Sequence, residues 1–105
     1  MLTKEPQDHW KLFETLDVDT FERQLRDEAE TIIELLVAKR KSYGSRNFTE
    51  FGDLGVLIRM NDKFKRLIHM QQSNLSTTEV GESVEDAYSD IIGYSLLVLL
   101  AHKLV

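Results

Sequence analysis

The chain of 105 residues has no cysteine, one proline and five glycines. Without cysteine there is no disulfide, no thiolate zinc site and no cysteine nucleophile. With Pro6 as the only proline, nothing breaks a helix beyond the N-terminus. No N-terminal run is apolar enough for a signal peptide. The longest apolar stretch, residues 91–101, is too short to span a bilayer and is interrupted by Gly93 and Ser95. An excess of bases is also missing. Eighteen acids against 13 bases give a formal charge of −5, which argues against binding to a DNA backbone. There is no repeat, no Gly-rich phosphate loop, no Glu-x-x-His pair and no nucleophile elbow. His9, His69 and His102 have no metal-ligand spacing. The expectation is a cytoplasmic protein with no membrane association.

What remains is a composition of 42% hydrophobic and 30% charged residues, typical of one globular domain. Nothing alternates with period two, so no sheet is expected. The reading is a single all-α domain over 1–105, with 1–18 a short helix or arm and 19–105 a helical core. A first long helix is expected over about 19–42, with Asp19 and Glu22 as its capping box and Phe21, Leu25, Ala29, Ile32, Ile33, Leu36 and Val37 in its buried stripe. A second is expected over about 53–72, with Leu54, Leu57, Met60, Phe64, Leu67 and Ile68 as its apolar side. A third is expected over about 82–103, with Ser83 and Asp86 as a capping box. Beyond Asp90 it is apolar nearly all round, and such a helix is buried on several sides. Three main helices give it too little cover, so the bundle is expected to be completed by oligomerisation, as a homodimer or homotetramer.

Charge is segregated. Residues 1–34 hold ten acids and four bases, residues 35–75 eight bases and three acids, and residues 76–105 five acids and one base. Either the segments attract one another, or the basic middle handles a small anion together with a cation. In the third helix Glu82, Asp86 and Asp90 are four apart, and their ridge continues into Gly93, Tyr94, Leu97 and Ala101. Those acids lie on a stripe that turns inward, where carboxylates are costly unless paired or metal-bound. Mg²⁺ suits them, and Mn²⁺ is the substitute, because hard cations take oxygen ligands and substrate phosphates together. The alternative is that Glu82 and Asp86 only favour the helix dipole; it accounts poorly for Asp90. In the second helix Arg59, Lys63 and Arg66 form a basic stripe suited to phosphate oxygens, or else a solvated polar face. Asp62 is either a further metal ligand or the salt-bridge partner of Arg66. Glu28 and Lys39 sit at the edge of the first helix's apolar stripe.

The segments Lys39-Arg40-Lys41-Ser42-Tyr43-Gly44, Asn47-Phe48 and Gly52 to Leu67, followed by Glu82 to Tyr94, together resemble the phage-associated nucleotide modification associated domain. That family is related to the all-α, MazG-like nucleoside triphosphate pyrophosphohydrolases. The resemblance covers residues 34–103 or so. It implies an obligate helical oligomer that binds Mg²⁺ and cleaves a (deoxy)nucleoside triphosphate to the monophosphate and pyrophosphate. By position it places Asp62, Asp86 and Asp90 at the metal, and Arg59, Lys63 and Arg66 at the phosphates; Lys39, from its place at the edge of the first helix's apolar stripe, is a further substrate-binding candidate. Tyr43, Asn47 and Tyr94 fall near the nucleoside, and Glu82 or Glu28 orients the attacking water as general base. MazG-like enzymes carry Glu-Glu-x-x-Glu in the second helix and Glu-x-x-Asp in the third. This chain has only Asp62 in the former, and Asp86 and Asp90 are four apart in the latter. The difference implies one metal in place of two, or a non-catalytic helical module that binds a nucleotide or a protein partner.

Overall fold

The computed structural model describes residues 8–43, 52–73 and 83–104. All four elements are helices: α1 (Asp8–Glu14), α2 (Val18–Tyr43), α3 (Gly52–Ser73) and α4 (Val84–Lys103). No strand occurs among the described residues, and none of these helices is long and apolar enough to cross a membrane. The chain divides into two compact units, Met1–Thr31 and Ile32–Val105, with the division inside α2.

In the first unit α1 ends in a tight turn. The Thr15 hydroxyl and backbone N–H both donate to the Leu12 carbonyl, at 2.7 and 3.1 Å. The residue that starts α2 is Asp17, not the expected Asp19. Asp17 Oδ1 accepts the Thr20 N–H at 2.8 Å, and its Oδ2 accepts the Thr20 hydroxyl at 3.0 Å. This satisfies a donor that the first turn of a helix leaves without a partner. These hydrogen bonds, with the Thr20 backbone first, hold the Asp17 carboxyl below its ordinary value. Glu22, expected to complete a box with Asp19, instead pairs with Arg26 at 2.9 Å on the exposed surface. Trp10, Phe13 and Phe21 stack edge to face, with centroids 5.5 and 5.6 Å apart, and so tie α1 to the first turn of α2.

In the second unit α3 and α4 pack along their length. α3 opens at Gly52, whose φ of 61° is a left-handed conformation that glycine adopts without steric cost. α4 opens at Ser83 as expected, its side chain accepting the Asp86 N–H at 2.9 Å. The face α3 turns to its neighbours is Val56, Met60, Lys63, Leu67 and Met70, with Val56 and Met70 buried. Leu54, Leu57, Phe64 and Ile68, expected inside, are 67%, 60%, 45% and 55% exposed. The helix carries two apolar stripes roughly 100° apart, and periodicity alone does not choose between them. On α4 the buried positions are Ala87 and Gly93, while Tyr88, Ile92, Leu96 and Leu99 form an exposed apolar stripe. α4 meets α2 where a Cβ on Gly93 would stand 2.8 Å from Leu36 Cδ2, so the absence of a side chain allows the two helices to draw close.

Candidate functional site

The second unit brings three of the sequence-indicated residues to one point. Asp90 of α4 is reached by Lys39 of α2 and Lys63 of α3. Lys39 Nζ donates to Asp90 Oδ1 at 3.2 Å, and Lys63 Nζ lies 2.8 Å from Asp90 Oδ2. The side chains are 37% (Lys39), 15% (Lys63) and 19% (Asp90) exposed.

Helical spacing explains the convergence. Lys63 lies seven residues after Val56 and seven before Met70, the two buried residues of α3. Two turns of helix return to nearly the same face, so Lys63 must enter the packed side. Lys39 follows buried Ile32 by the same interval. Asp90 sits three residues from Ala87 and three from Gly93, the buried pair of α4. Burial by itself would push the Asp90 carboxyl up. The hydrogen bonds and charges of Lys63 and Lys39 outweigh it and hold the carboxyl below its ordinary value. Asp90 is therefore an ionised, half-buried carboxylate that ties three helices together.

Other site candidates lie around this point or away from it. Arg59 stands one turn before Lys63 and is half-buried, and Arg66 is exposed on the same edge of α3. Tyr94, one turn beyond Asp90, is half-buried. Asp62 is exposed on α3. Asp86 is exposed in the first turn of α4, where its N–H meets the Ser83 cap and its charge faces the helix N-terminus favourably. Glu28 is exposed on α2 in the first unit. Asn47, Glu82 and the side chain of Tyr43 lie outside the described residues. Among the described residues, no group of three or more His, Asp or Glu side chains could hold a metal ion.

Two features were not anticipated from the sequence. His102 Nε2 and Asp53 Oδ2 are 2.7 Å apart, linking the end of α4 to the start of α3 at an exposed position. An apolar cleft of about 620 Å³ opens between α3 and α4, lined by Phe64, Leu67, Ile68, Met70, Val84 and Tyr88 among others. The i, i+4 repeat of Phe64 with Ile68 and of Val84 with Tyr88 is the signal that marks its walls. No protein-family model, curated protein or solved structure matches this chain.

Proposed function

We propose that the protein is a nucleotide pyrophosphohydrolase of the MazG-like type, related to the phage nucleotide modification associated domain, that converts a (deoxy)nucleoside triphosphate to the monophosphate and pyrophosphate. The observation that supports it is the meeting of Lys39 and Lys63 at Asp90, with Arg59 and Arg66 on the adjoining edge of α3. Ammonium and guanidinium groups at one locus suit the oxygens of a polyphosphate, and they stabilise charge that develops as a phosphoanhydride bond breaks. Tyr94 borders that locus and is the described candidate for the nucleoside side.

The reading brings with it a divalent ion, Mg²⁺ or Mn²⁺, whose role is to neutralise phosphate charge and activate water. Carboxylate oxygens have the right chemistry for such an ion. Asp62 and Asp86 are the exposed acids available to it, whereas both Asp90 oxygens already face ammonium groups. These residues do not by themselves build a complete metal site. Assembly into a homodimer or homotetramer belongs to the same proposal. Its support is the exposed apolar stripes Leu57–Phe64–Ile68 on α3 and Tyr88–Ile92–Leu99 on α4.

One observation favours a second reading. Asp90 is neutralised by lysines, which suits a helical module that binds a nucleotide without cleaving it. Incubation with a panel of dNTPs and Mg²⁺, followed for pyrophosphate release, separates the two. Turnover supports the enzyme. A rise in melting temperature with nucleotide but no release supports the binding module. Neither effect with any nucleotide refutes both.

A further inference from the structure

We infer that a pocket shared by α2, α3 and α4 is a binding site for a medium-chain monocarboxylate, a ligand with one anionic head and one apolar tail. It is independent of the nucleotide reading above. The pocket measures about 330 Å³ and lies within the second unit. That volume is in the range of small-molecule sites, which are mostly apolar with a few polar groups. Val56, 7% exposed, forms the floor, and half-buried Leu36 and Leu97 form the walls. Leu104, 77% exposed, stands at the rim.

Two charged side chains line the pocket, Arg40 and Asp53, and they are not equivalent. Asp53 is engaged, its Oδ2 lying 2.7 Å from His102 Nε2. Arg40 is exposed and has no hydrogen bond or ion pair among the described residues. An uncommitted guanidinium beside apolar walls selects the ligand: it pairs with a carboxylate through two parallel N–H donors, and the walls take the tail. A cationic head gains little, because the one acid present already faces an imidazole. A polyphosphate finds a single cation and meets apolar surface behind it. The tail length follows from the volume. At roughly 30 Å³ for each heavy atom, the share of a water molecule in the liquid, the pocket takes about ten, an eight-carbon acid.

The test is calorimetric titration of the full chain at pH 7 with octanoate, octan-1-ol and octylammonium. Octanoate should bind about tenfold more tightly than octanol, and octylammonium no more tightly than octanol. Arg40→Met should bring octanoate to the octanol affinity and leave octanol within about twofold. Ala101→Phe, which adds bulk to a lining position, should weaken octanoate and octanol together by about tenfold or more. If Ala101→Phe does not fold, Arg40→Met carries the test, because Arg40 is exposed and makes no contact that the fold depends on. No octanoate binding by the unaltered chain overturns the inference, as does undiminished octanoate binding in Arg40→Met. Octylammonium binding as tight as octanoate overturns it by making Asp53 the selecting charge. Octanoate affinity that falls as protein concentration rises overturns it by making a second copy of the chain the occupant.

Discussion

Replacing Asp90 by Asn keeps the shape of the side chain and removes its charge, leaving two ammonium groups facing a neutral amide. The cost follows from the exposures. A pair broken in a fully buried site costs about 3–5 kcal/mol, and an exposed pair contributes about 0.2–1 kcal/mol. Lys63 and Asp90, at 15% and 19% exposed, lie nearer the first limit, and Lys39, at 37%, nearer the second. The expected loss is about 2–3 kcal/mol for Asp90→Asn and below about 1 kcal/mol for Lys39→Met, with Lys63→Met between them. For a domain of this length the Asp90→Asn loss corresponds to a fall in melting temperature of about 10 °C or more. The assay is thermal unfolding by circular dichroism at pH 7 and at one fixed protein concentration, because assembly makes the midpoint concentration-dependent. The double variant Asp90→Asn/Lys63→Met should be more stable than the sum of its parts, since both changes remove the same contact. The reasoning fails if Asp90→Asn melts within about 2 °C of the unaltered chain, or if Lys39→Met is the more damaging change.

Stability should be fully present above about pH 4, the ordinary carboxylate range, and should decline as pH falls further through the lowered values of Asp90 and Asp17. Denaturant midpoints from pH 7 down to pH 2 test this, and Asp90→Asn should flatten part of the decline. Gly93→Val should destabilise by about 1–3 kcal/mol, because its Cβ would meet Leu36 Cδ2 at 2.8 Å. Adding Leu36→Ala should recover much of that loss, and a larger loss in the double would refute the contact. Ile92→Asp together with Phe64→Glu should convert an oligomer to a monomer on sizing columns, with helicity by circular dichroism retained. An unchanged elution volume would show that these stripes are not the interface.

The long helices were legible from apolar spacing, and the end of α3 at Ser73 and the Ser83 cap of α4 lie within a residue or so of where the pattern places them. The start of α2 was less so. Asp17 and Asp19 both precede plausible first turns, and the Thr20 hydroxyl and N–H decide for Asp17 by offering two donors to one carboxylate. Which side of α3 packs was not legible, because Leu57–Phe64–Ile68 and Val56–Met60–Leu67 are equally regular. At the site, the ridge leading from Asp90 into Gly93 and Tyr94 turned Asp90 inward, but Asp86, expected inward on the same ridge, is exposed because it lies in the first turn of α4, at the margin of the packed region. Its partners could not be read that way. A meeting of Lys39, Lys63 and Asp90 depends on how three helices are rotated against each other, and a periodicity holds one helix at a time. The seven-residue intervals that place Lys63 between Val56 and Met70, and Lys39 after Ile32, are visible only once those flanking residues are known to be buried.

The contact between Leu36 and Gly93 also governs something one turn away. Lys39 lies three residues beyond Leu36, and Asp90 three residues before Gly93, so the two contacts join the same pair of helices. The missing side chain at Gly93 leaves room for the tip of Leu36 in the same stretch of α2 and α4 that Lys39 and Asp90 bridge. Bulk added at that position must first displace the tip of Leu36, and the neighbouring bond between charges is where any resulting shift of α2 against α4 would register.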